Sequence, residues 1–143
     1  MSDGDRNTEP EINLNNAKCA KDYLSEMGYE VRMTRTTSEE NPSMTKRLVY
    51  CYPNQDTTAQ PDADIFVCLH SNAGGGSGTA YMSLSGTYDQ DGILLTDEYI
   101  RRSNLLGESI NSEIVAKTSL TAFADGKYSD FPTTILFCKS PIP

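Results

Sequence analysis

An α/β fold is what this sequence predicts, on three observations. A helical pattern closed by Gly28 runs straight into the alternating segment Tyr29-Glu30-Val31-Arg32-Met33-Thr34, which is half of a βαβ unit. The apolar run Ile65-Phe66-Val67-Cys68-Leu69, bounded by Pro61-Asp62 and a later glycine cluster, reads as a strand buried on both faces of a largely parallel sheet. A second helical stretch of about twenty residues begins at Thr96 or Asp97 and lies between strand-like segments.

The 143 residues suffice for one domain with a hydrophobic core, and a hydrophobic fraction of 37% with 22% charged residues is globular. A net charge of −8 without any basic block argues against nucleic acid as a partner. No apolar run approaches the ~20 residues of a membrane span, and the opening Met1-Ser2-Asp3-Gly4-Asp5-Arg6 does not read as a signal peptide. The four cysteines, Cys19, Cys51, Cys68 and Cys138, form no C-x-x-C pair that would suggest zinc or thiol exchange. Cys68 and Cys138 sit in apolar strands and read as small buried hydrophobes, so no disulfide is expected.

Each element has a local signal. Thr8 is the expected N-cap of the first helix, with Pro10 in its first turn and Glu11 placed for a capping box. Ala17, Ala20, Leu24 and Met27 form its apolar stripe, and Gly28 stops it. From Thr36 to Ala63 a polar excursion follows, with a short helical piece around Met44 to Tyr52 and turns at Pro53-Asn54 and Gln60-Pro61-Asp62. The strand ending at His70 comes next. The run Gly74-Gly75-Gly76-Ser77-Gly78 lacks the Lys-Ser/Thr ending of a phosphate loop and precedes a strand rather than a helix, so it reads as a mobile loop beside a site. Thr79 to Leu84 is that strand, and residues 85–95 connect it to the second helix. The expected stripe there is Tyr99, Leu106, Ile110 and Ile114, with Arg101, Arg102 and Glu108 toward solvent. Thr133 to Cys138 is the final strand.

The chemistry centres on His70, the one histidine of the chain, at the carboxyl end of a strand where ligands of α/β sheets gather. Ser71 beside it points the other way on extended chain, and no G-x-S-x-G elbow supplies another serine. The cysteines look buried, which leaves a metal. Hydrolytic zinc sites take three protein ligands from His and Asp/Glu and leave one position for water. Glu9, in the first turn of the first helix, is the candidate carboxylate. By position alone Glu9 suits the helix dipole at least as well, and such a histidine is more often an ordinary strand-end residue than a ligand.

Four segments in order tip that balance. Glu9-Pro10-Glu11-Ile12-Asn13-Leu14, Gly28 to Arg35, Lys46-Arg47, and Ala63 to Ala73 together resemble the zinc-dependent N-acetylmuramoyl-L-alanine amidases of type 3. The resemblance implies a three-layer, mixed and mostly parallel sheet with helices on both faces, of phosphorylase/hydrolase-like architecture, spanning residues 1–143 as one amidase catalytic domain. It implies hydrolysis of the amide between N-acetylmuramic acid and L-alanine, with one Zn2+ ion, a peptidoglycan glycan-peptide substrate, and a secreted or cell-wall location. Glu9 matches the family's carboxylate ligand and His70 its second histidine ligand, whereas Glu11 falls two residues late and stays a capping residue. Arg35 and Arg47 match family arginines with structural or substrate-side roles.

Two family features have no match. Nothing before Glu9 supplies the Gly-His-Gly histidine ligand, and the strand bearing the catalytic glutamate would lie beyond Pro143. On this reading the sequence is an internal fragment with an inactive site and weak or absent zinc; only zinc-dependent activity of the short chain would point to an acidic side chain such as Asp3 or Asp5 as third ligand. The alternative is a non-catalytic peptidoglycan-binding or degenerate module on the same scaffold.

Overall fold

The structure, a computed structural model, describes residues 8–70, 78–82, 96–128 and 135–136. Outside them lie the expectations for Asp3 and Asp5, the glycine loop before Gly78, the 85–95 connection, Cys138, and most of the final strand. The described elements make a mixed α/β chain. They belong to two compact units, Met1–Asp62 with Leu69–Ala73, and Ala63–Cys68 with Gly74–Pro143.

In the first unit, helix α1 spans Glu9–Glu26. Its start follows the sequence signal: the Glu11 carboxylate accepts from the Thr8 amide at 2.7 Å and from the Thr8 hydroxyl at 2.8 Å. Those bonds hold the Glu11 carboxyl below the usual carboxylate range. Its end is a Schellman turn, with Tyr29 N–H bonding to Leu24 C=O, Gly28 N–H to Ser25 C=O, and Gly28 at φ 93°. The anticipated stripe is not what α1 buries. Asn13 and Leu14 are its buried residues, while Leu24 and Met27 are exposed.

The alternation at Tyr29–Thr34 does not become a strand, because a strand needs a paired neighbour and this segment is tied down through a side chain. Arg32 makes a bidentate ion pair with Asp62, at 2.6 and 2.7 Å, and reaches the carbonyls of Tyr50 and Tyr52. The guanidinium pKa rises, first through the bonds to Asp62 and then through Glu30. The excursion folds as expected into helix α2, Met44–Leu48, followed by 3-10 turns at Val49–Cys51 and Pro53–Gln55. Asn54 and Gln55 take positive φ at the turn marked by Pro53-Asn54.

In the second unit, strand β1 is only Phe66–Val67 and pairs antiparallel with β4, Ile135–Leu136. The expectation of a strand buried on both faces is corrected here: Phe66 is buried, but Ile65, Val67 and Leu69 are exposed. Burial therefore alternates, as on a sheet covered on one face. Strand β2, Gly78–Met82, pairs in parallel with β3, Thr121–Tyr128, a strand the sequence did not announce. Helix α3, Asp97–Lys117, starts at Thr96, whose hydroxyl accepts from Tyr99 N–H at 3.2 Å. It packs on β2 and β3, and the residues it buries are Tyr99, Ser103, Gly107 and Asn111, whereas Ile110 is exposed. A Cβ on Gly107 would meet Tyr81 Cδ2 at 2.5 Å, so the approach of helix to strand selects small residues on that line. On the solvent side, Glu98 bonds Arg101 and Arg102, which hold its pKa at about 2.

The cysteines also depart from expectation. Cys51 is disulfide-bonded, which overturns the absence of a disulfide read from the spacing. Neither Cys19, which is exposed, nor Cys68, which is half-buried, is in a disulfide. No helix among the described residues is long and apolar enough to cross a membrane.

Candidate metal centre

Glu9 and His70, far apart in sequence, are brought together in the first unit. The capping bonds of Thr8 and Glu11 fix the first turn of α1, which places Glu9 at the exposed start of the helix. His70 belongs to the same unit and lies beside it. His70 Nδ1 and Glu9 Oε1 lie 3.7 Å apart, with side chains 54% and 48% exposed.

That distance is too long for a hydrogen bond. It suits two donors sharing one ion, since Zn–N and Zn–O bonds of ~2.0–2.2 Å set such donors roughly 3–4 Å apart. An imidazole nitrogen with a carboxylate oxygen is also a donor set that zinc accepts. The pair thus fits part of a zinc site. Among the described residues no group of three or more His, Cys, Asp or Glu side chains could hold a metal ion.

Two hydrogen bonds support the turn that carries Glu9. Asn13 Nδ2, one turn along α1, donates to Glu9 Oε1 at 3.3 Å. Arg35 Nη2 donates to the carbonyl of Pro10, the residue after Glu9, at 2.7 Å. Arg35 thus has a structural contact. The same holds for Arg47, whose guanidinium donates to Pro42 C=O at 2.9 Å and Asn41 Oδ1 at 3.2 Å. Glu11 stays with Thr8, as the capping pattern required, and its carboxylate is committed there.

Sequence reasoning passed over Asn13. Its signal was spacing, because a side chain at i+4 lies on the same helix face as Glu9. Beside the site's helix, Glu11, Leu14, Asn15, Lys18 and residues 36–39 line a polar depression of about 350 Å³.

A family model described as N-acetylmuramoyl-L-alanine amidase matches residues 2–136 of this chain. Neither the curated proteins nor the solved structures compared with it yield a match.

Proposed function

Because the chain belongs to the N-acetylmuramoyl-L-alanine amidase family, we propose that residues 1–143 belong to the catalytic domain of a zinc-dependent peptidoglycan amidase. On this reading the mixed α/β elements belong to a three-layer fold with helices on both faces of the sheet. The substrate is the amide joining the lactyl group of N-acetylmuramic acid to the L-alanine of the stem peptide. The observation that carries the reading is the 3.7 Å approach of Glu9 and His70.

Glu9 and His70 would hold a single Zn2+, which when bound polarises a carbonyl oxygen and lowers the pKa of water toward ~7. Glu9 brings one negative charge to offset that of the cation, and His70 brings a neutral nitrogen donor. Their half-exposed side chains leave room for a polymeric substrate to reach the site. Glu11 takes no part, since its carboxylate is held by the Thr8 amide and hydroxyl. Proton transfer falls to a family glutamate, a role that none of the residues matched above takes, so these residues by themselves are expected to leave peptidoglycan uncut.

The experiment is digestion of purified peptidoglycan in the presence of Zn2+, with newly freed L-alanine amino termini counted by dinitrophenylation. These 143 residues alone should release none. A version extended by family segments bearing the first histidine and the glutamate should release them, and Glu9→Gln or His70→Ala in that version should stop it. Cleavage by the extended version that is indifferent to both substitutions would contradict the proposal.

A further inference from the structure

We propose that Asn13 and Arg35 are positioning residues that fix the Glu9 carboxylate for metal binding, an inference that rests on reading Glu9 and His70 as zinc ligands. Helix α1 is exposed over most of its length, yet it buries Asn13 beside Leu14. Asparagine is a poor helix former, and a buried amide is costly unless it is hydrogen-bonded, so its place inside this helix calls for a partner. A partner is there: Asn13 Nδ2 donates to Glu9 Oε1, the same oxygen that faces His70 Nδ1. A glutamate has three side-chain torsions, and this bond restricts the ones that aim the oxygen at His70.

Arg35 acts on the backbone of the same turn. The first turn of a helix frays easily, and Glu9 is the first residue of α1. The charged, half-buried Arg35 side chain bonds to the Pro10 carbonyl at 2.7 Å, tying that turn to the segment after residue 34. Carboxylates that bind metals are commonly held by such hydrogen bonds, and loss of one typically lowers metal affinity 10–100-fold.

The test is the Zn2+ affinity of the 143-residue chain, measured by competition with a chromophoric chelator, alongside thermal melting of the metal-free protein; an unsubstituted chain that binds no zinc overturns the proposal. Asn13→Ala and Arg35→Met should each weaken zinc binding roughly 10–100-fold. Arg35→Lys, which keeps a charged donor, should restore most of the Arg35 loss. Asn13→Ser, whose shorter side chain cannot reach Oε1, carries the same expectation where Asn13→Ala does not fold. A role in stability alone would lower the melting temperature and leave the affinity of the folded protein unchanged, which would overturn the proposal. Glu9→Gln separates the two levels. If it weakens zinc binding while the Asn13 and Arg35 variants do not, only the positioning role fails. If Glu9→Gln also binds zinc as the unsubstituted chain does, the ligand assignment itself fails.

Discussion

Replacing Gly107 by alanine tests how α3 sits on β2. The added Cβ would lie 2.5 Å from Tyr81 Cδ2, 2.9 Å from Cγ and 3.1 Å from Cβ. Carbon atoms in ordinary contact stand ~3.5–4.0 Å apart, so the shortfall at the ring is about 1 Å. A ring swing does not relieve it, because Tyr81 Cβ, one bond from the strand backbone, is itself too close. Helix and strand must part instead. Overpacking of this kind costs about 1–3 kcal/mol, whereas alanine in place of glycine in a helix returns about 1 kcal/mol. The net expectation is a loss of about 1 kcal/mol, read as a fall in melting temperature of roughly 2–4 °C. Circular dichroism melts and urea titrations of Gly107→Ala measure it. In a Tyr81→Ala background the clash is gone, so the same substitution should stabilise by up to about 1 kcal/mol. If Gly107→Ala is as stable as the unsubstituted chain when Tyr81 is present, the close approach is wrong.

Two more expectations follow from charges and thiols. Glu98 should titrate at about 2, well below the ordinary glutamate value of 4.5, because Arg101 and Arg102 bond its carboxylate. Its contribution to stability is then fully present above pH 4.5 and lost as pH falls toward 2; carboxyl NMR shifts in the native protein, with Glu98→Gln as control, check both. Alkylation of the native chain should modify exposed Cys19 before half-buried Cys68, with Cys51 reacting only after reduction, as peptide mass mapping will show.

What could be read from the sequence was mostly local. Thr8 with Glu11 marked the start of α1 and Gly28 its end, because capping bonds and a positive φ involve residues a few positions apart. Which face each helix buries depends on the surface it meets. On α3 the close packing against Tyr81 favours Ser103 and Gly107 over the larger Leu106 and Ile110. That line also buries Ser103 Oγ and Asn111 Oδ1 without hydrogen-bond partners among the described residues, which no apolar pattern would select.

Strand β3 was hidden by its own irregularity. Thr79 pairs with Ala122 but Tyr81 pairs with Lys127, so β3 carries extra residues that include Asp125-Gly126, a dipeptide that reads as a turn. The apolar run at Ile65–Leu69 overstated burial, since Phe66 alone is fully buried there and Cys68 half-buried. The approach of Glu9 and His70 was expected through a resemblance spread over several segments. Asn13 was not, because a buried amide reveals its purpose only once its partner is located. The disulfide of Cys51 left no mark in the cysteine spacing.

The central claim is that Glu9 and His70 share one zinc ion. Because His70 is the sole histidine, its imidazole resonances report the site without ambiguity. A Zn2+ titration followed by 15N-correlated imidazole NMR should shift the His70 signals at saturation, with Nδ1 as the ligated nitrogen, and Glu9→Gln should move the midpoint to much higher zinc. Imidazole signals that do not respond to zinc, or that respond equally in Glu9→Gln, would contradict the account.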